Sequence, residues 1–330
     1  MRTHFRLFLT ALVLPATLAA QAAPITIPDP INLDGKMHMQ GEGELRGGPK
    51  KILVPTAIVR FATRGSLFVV AQGNFMQTDG RTARAKGKFV VAGLDKSYVQ
   101  GLARQVQDDL IARLRAAGHT VLTYDDVKDN PEVVRMGRYK PDDDYGMPTG
   151  SGNPALKNTY LMAFPSDTQA IDPPFQGYPW GFRKVAKDLD VIVMVPEYIV
   201  DAPLLTGSRR NGVTSRSAAV AVYPEMLVSS RLSFNTPKGK WGSFGTKEPV
   251  SDLSESVGDI GEATDDTPRV ANAIAAGLAS LGSLGADMQT KSGTWGMKVA
   301  PARYTAAVLR GTVSVNMAIE AIVRQEIGKR

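Results

Sequence analysis

The chain has 330 residues, with 39 basic side chains against 32 acidic ones, 43% apolar residues and no cysteine. The missing thiols exclude disulfides, zinc–thiolate sites and cysteine nucleophiles. The basic residues are scattered (Lys50-Lys51, Arg81 to Lys88, Arg209-Arg210) and no long basic run interleaves with aromatics, which argues against nucleic acid as a partner. The mildly basic balance is compatible with attraction to anionic envelope polymers, but an ordinary solvated surface is the first expectation.

The first residues carry an address. Arg2 and Arg6 form a basic n-region, Leu7 to Leu14 an apolar run, and Ala20-Gln21-Ala22 a small-x-small box. Together they predict a secretory signal peptide, residues 1–22, cut after Ala22. The apolar run is too short to span a bilayer, which takes about 20 residues. Removing Arg2 and Arg6 from 39 basic residues leaves 37 against 32 acids, a net of +5. No later segment reads as continuously apolar for the length of a spanning helix, so a periplasmic or secreted protein held by its core is expected.

Residues 23–49, rich in Gly and Pro and containing "GEGELRGG", read as a flexible lead-in to a single domain over residues 50–330. "KKILVPTAIVRFATRG" predicts a strand over Ile52–Phe61, with Pro55 favouring a bulge or an edge. A turn at Arg64-Gly65 then leads to a second strand in "GSLFVVAQGNF". "GRTARAKGKFVVAGL" reads as a polar loop entering a third strand at Phe89 to Ala92.

Leu94, Tyr98, Leu102, Val106, Leu110 and Leu114 recur every fourth residue, with Val99, Ala103 and Ile111 beside them, which predicts an amphipathic helix. Gly118 stands where a helix-ending glycine belongs, and "HTVLTY" continues the chain as a strand. Asp125 and Asp126 come next, before "VKDNPEVV". They are read as capping the next helix, satisfying orphan N–H groups, and not as a catalytic pair.

Residues 140–157 read as a loop, "NTYLMAF" as a strand, "GFRKVAKDL" as a short helix and "DVIVMVPEYIV" as a buried strand. Ser217 to Phe244 reads as one long strand or two paired ones, with Pro237-Lys238-Gly239 as a turn. Pro249 to Thr267 is polar and expected as an exposed loop. Two helices close the chain: "TPRVANAIAAGLASLGSL", with Thr267 as N-cap and Pro268 at N1, and a long one over "APARYTAAVLRGTVSVNMAIEAIVRQEIG". Gly311 weakens the latter by about 1 kcal/mol relative to Ala, so packing must hold it.

No catalytic, cofactor-binding or metal-binding residue is assigned. His119 is the one histidine outside the leader and lead-in, but no G-x-S-x-G elbow exists to pair with it. A protonated imidazole there would favour the helix C-terminus instead. Asp142, Asp144 and a carbonyl near Gly146 are oxygen ligands at loop spacing, yet the EF-hand pattern lacks its third acid and distal glutamate. "GEGELRGG" and "TGSGNP" lack the lysine and the strand–helix setting of a phosphate cradle. Phe175, Tyr178, Trp180 and Phe182 could line a groove for glycan or peptide, but core packing and loop anchoring are the first expectation.

A strand over Ile52–Phe61, the helix ending in "AAGHTVLTY", then "DLDVIVMVPEYIV" and "AVAVYPEMLVSSRLSF" reaching a lysine–glycine turn together resemble the α/β domain of the curli-secretion channel subunit and similar envelope-assembly proteins. The resemblance covers Lys51 to Gly239 and rests on hydrophobicity and glycine placement. It implies an α/β fold, a mixed sheet with packed helices, of the anticodon-binding-like or a related envelope type, with C-terminal helices. Those subunits are lipoproteins and this chain has no acceptor cysteine, nor two clean hairpins with alternating lipid-facing residues. An assembly domain is therefore implied more than a pore. The expectation is an exported, non-enzymatic envelope protein without cofactor, with envelope proteins or surface polymers as partners and a homo-oligomer left open. The alternatives are a hydrolase using Asp and Glu acids and a glycan- or ligand-binding module.

Overall fold

A computed structural model of the chain describes residues 23–71, 83–139, 149–150, 156–171, 179–211, 216–254, 256–263, 288–290 and 293–329. The predicted signal peptide, the helix expected from Thr267, and Asp142, Asp144 and Gly146 lie outside them.

Pro55 cannot donate to a ladder, and the strand expected over Ile52–Phe61 is interrupted there. Its two parts, β2 (Lys51–Val54) and β3 (Ile58–Ala71), both run parallel to β8 (Ile192–Asp201), with Ile52 opposite Ile192 and Ile58 opposite Glu197. β3 leaves β8 after Phe61 and from Arg64 to Ala71 pairs antiparallel with β4 (Ala83–Ala92). Along its other edge lies β7 (Leu156–Ala163), and a register shift between Ala62 and Arg64 marks the changeover.

Around this branch, and among the described residues, the main sheet has 12 strands. Its principal order is β1 (Met37–Gln40), β12 (Trp241–Thr246), β11 (Leu227–Asn235), β8, β3, β4, β15 (Gly293–Val299) and β13 (Gly258–Ala263). β5 (Thr120–Thr123) joins β2, and β6 (Thr149–Gly150) joins β7. A second sheet of three strands, β9 (Leu204–Asn211), β10 (Arg216–Tyr223) and β14 (Met288–Thr290), packs on the β3/β4 ladder.

The helices form the outer layers of a mixed α/β domain. α1 (Lys96–Ala116) starts at Asp95, whose carboxylate accepts from Tyr98 N at 2.8 Å. It ends in a Schellman turn: Gly118, at φ 87°, donates to Arg115 O, and His119 N donates to Leu114 O. Of its expected stripe, Leu102, Val106, Leu110 and Leu114 are buried, as is the neighbouring Val99, while Tyr98 is half-buried and Leu94 precedes the helix. α4 (Pro301–Gly328) packs beside α1 on the same face of the sheet. The opposite face carries α2 (Pro131–Val134) and α3 (Arg183–Leu189), where Val133, Val185 and Ala186 cover Leu53, Ile58, Val193 and Val195.

Gly311 in α4 has a packing reason. A Cβ there would lie 2.8 Å from Val228 Cγ2, so the glycine lets the helix approach β11 closely. By length and composition this helix could cross a membrane (mean hydropathy 1.4), which corrects the expectation that no later segment qualifies. Its Tyr304, Val308, Val315, Ile319 and Val323 are spent on the core.

Other expectations are corrected as well. Residues 23–49 are docked, not a flexible lead-in. Arg113 and Asp109 clamp the backbone of Ile25 (Arg113 to Ile25 O 2.7 Å; Ile25 N to Asp109 Oδ1 2.8 Å), Ile31 N donates to Ser314 Oγ at 2.9 Å, and Leu33, Met37 and Leu45 are buried. Arg64-Gly65 is no turn: β3 runs through it, and a Cβ on Gly65 would stand 2.2 Å from the Phe89 ring. Residues 83–88 are ladder, not loop. Ser217 to Phe244 contains three strands instead of one or two, and β10 belongs to the second sheet. The stretch expected as an exposed loop from Pro249 buries Val250, Leu253 and Val257 and contains β13.

Candidate interaction surface and the polar clusters behind it

Where β3 pairs with β4, the two faces of the ladder differ sharply. Side chains alternate across a strand. Leu67, Ala71, Ala85 and Phe89 are buried on the inner face, under the second sheet. Two glycines let the sheets approach: a Cβ on Gly87 would lie 2.3 Å from Val220 Cγ1, and one on Gly207 2.4 Å from Val69 Cγ2.

The outer face carries Arg64, Ser66, Phe68 and Val70 of β3. Directly opposite them on β4 stand Val90, Lys88, Lys86 and Arg84. On the other flank, β7 places Lys157 opposite Ser66 and Thr159 opposite Arg64. Phe68 is 47% exposed, and Arg84, Lys86 and Lys157 are exposed as well. The stretches 64–71, 83–92 and 156–159 contain no acidic residue. An exposed phenyl ring thus sits among five basic side chains on a single sheet face.

Beside this surface, on the strand that flanks the start of β3, three buried polar clusters are anchored within five residues of β8. Glu197 is ion-paired with Arg60, both buried, and Arg231 stands opposite Glu197 in the β11 register. Tyr198 donates to Asn316 Oδ1 of α4. The Asn316 amide donates in turn to Asp109 Oδ2 at 2.9 Å and to Val106 O at 3.1 Å. Asp109 also takes Arg113 Nε at 2.8 Å. Asp201 accepts from Tyr160 Oη at 2.7 Å and from Asn158 Nδ2 at 2.8 Å. Burial pushes the Asp201 carboxyl above the ordinary carboxylate value, and these two donors oppose the rise. Burial likewise drives the Tyr198 hydroxyl far above its ordinary pKa, so it stays a donor.

These acids hold structure together, since each is satisfied by a named partner. Among the described residues, no three His, Asp or Glu side chains gather as a metal-ligand set. One cleft of about 370 Å³ lies between the docked N-terminal segment and the loop after β12, lined by Ile31, Leu33, Lys36, Lys247, Val250 and Asp252. None of the three clusters contributes to its lining.

The fold disperses the residues singled out in the sequence. His119 is buried, with neither ring nitrogen hydrogen-bonded among the described residues. Burial holds its imidazole below the ordinary value, which favours the neutral ring over the cation expected at the helix end. Asp126 turns back on the preceding strand, its Oδ2 taking Thr123 N at 2.7 Å and Thr123 Oγ1 at 2.9 Å. The cap of α2 is Asn130, which accepts from Glu132 N. Asp125 makes a 3.5 Å surface pair with Lys128. Phe182 is buried in the core beneath α3, while Phe175, Tyr178 and the Trp180 side chain lie outside the described residues.

The basic face has only a faint signature in the sequence. Arg81 to Lys88 stands out as a cluster of charge, and the alternation in "ARAKGK" that aims Arg84, Lys86 and Lys88 to one side is the available signal. No family model matches this chain, and no curated protein matches it.

Proposed function

We propose that the mature chain is an exported, non-enzymatic protein of the cell envelope, working in assembly with or attachment to envelope and surface components. The observation that supports this reading is the outer face of β3, β4 and β7, where Phe68 stands exposed among Arg64, Arg84, Lys86, Lys88 and Lys157. Exposed basic groups attract polyanions at long range, and an exposed ring adds apolar contact at short range. The signal-like leader supplies the compartment, and commitment of Glu197 and Asp201 to partners favours binding over acid–base chemistry.

The test is retention of the mature chain on washed envelope fragments, run beside the double variant R84E/K86E. Retention of the wild type and loss by the variant are expected. Equal recovery of both, or turnover of an ester or glycoside by the purified chain, would overturn the reading.

A further inference from the structure

The chemistry of the β3/β4/β7 face narrows its partner, on the premise that this face is where the protein meets the envelope. Ladder partners in an antiparallel pair stand about 5 Å apart, and next-but-one residues of a strand about 7 Å apart. The outer face therefore presents its side chains in regular rows. Across one row run Lys157, Ser66, Lys88 and, on β15, Thr294. The next row is Phe68 with Lys86, and the one beyond is Val70 with Arg84. The apolar pair is contiguous, Phe68 and Val70 being successive outward residues of β3, and the cations ring it on two sides.

A hydrated soluble polyanion would engage the cations and leave the phenyl ring in water. A bilayer surface offers phosphates in a plane and an apolar layer just beneath them. Long basic side chains reach the first while their neighbours enter the second. The inner face cannot serve, because the second sheet fills it, Val220 lying against Gly87 and Gly207 against Val69. We infer that the outer face of β3, β4 and β7 docks on the phosphate-rich surface of an anionic lipid bilayer, with Phe68 and Val70 seated among the headgroups.

The experiment is flotation of the whole mature chain with vesicles of phosphatidylcholine alone or with about one lipid in three replaced by phosphatidylglycerol. Flotation only with the anionic vesicles, reversed by salt approaching about 1 M, is expected. Arg84→Gln and Lys157→Gln should each weaken partition about fivefold, the equivalent of about 1 kcal/mol per charge. Phe68→Ser should weaken it while leaving the salt dependence in place. The two charge variants lie on different strands, so if one fails to fold the other still tests the face, and a thermal melt identifies which is native.

Equal flotation with neutral vesicles, or flotation unchanged in every folded variant, overturns the inference. Capture on dextran sulfate beads without flotation also overturns it, assigning the face to a soluble polyanion while the envelope reading stands. Loss of envelope retention itself would remove the reading beneath both.

Discussion

Asn316 on α4 and Asp109 on α1 meet through a 2.9 Å hydrogen bond inside the seam between the two helices, where both side chains are buried. Tyr198 reaches the same amide from the central strand, and Asp109 passes the connection to Ile25 of the docked N-terminal segment. One asparagine thus joins strand, both helices and the chain's described start.

Replacing that amide by an apolar isostere, Asn316→Leu, strands the Tyr198 hydroxyl in a dry interior and leaves Asp109 Oδ2 with Arg113 as its remaining partner. Unsatisfied buried groups cost more than the net worth of the bonds they lose. A loss of about 2–4 kcal/mol in urea unfolding is expected. An unchanged midpoint would show that the network contributes nothing.

His119 gives the fold a defined acid sensitivity. Its folded pKa lies below the ordinary 6.5 because burial disfavours the cation. The unfolded chain therefore binds a proton first as pH falls, and stability drops from about pH 6.5 down to the folded pKa, below which it levels off. His119→Phe should flatten the dependence of stability on pH across that window, whatever its effect on the level at pH 8. A wild-type melting temperature independent of pH between about 7 and 5 would contradict this.

Gly87 tests the contact between the two sheets separately from the charged face. In Gly87→Val the new side chain must displace Val220, already only 2.3 Å from where its Cβ would stand. Overpacking of this kind costs about 1–3 kcal/mol. The substitution should lower the melting temperature yet leave retention on envelope fragments unchanged below it. Reduced retention by the still-folded variant would mean that the inner sheet, not the outer face, makes the contact.

Legibility in the sequence depends on range. α1 and α4 are legible because helical periodicity is local, and β8 because a buried strand is a short apolar run. β9, β13 and β15 are not, since "LLTGSRRN", "GDIGEA" and "GTWGMKV" carry glycine and polar residues that become strand only through their neighbours. Residues 23–49 look flexible because their anchors are remote: Ile25 meets a partner 84 positions away and Ile31 one 283 away. The pairing of Arg60 with Glu197 spans 137 positions. The basic face depends on register, which places Lys157 in the same row as Ser66 and Lys88 and has no local signature.

The salt dependence of envelope retention tests the central claim most directly. If the basic face makes the contact, binding of the mature chain to washed envelope fragments falls steeply as sodium chloride rises from about 0.05 to 0.5 M, because exposed charges are screened over that range. The R84E/K86E variant should already stand near the high-salt level at low salt. Retention that stays flat across the range, in wild type and variant alike, would contradict the account.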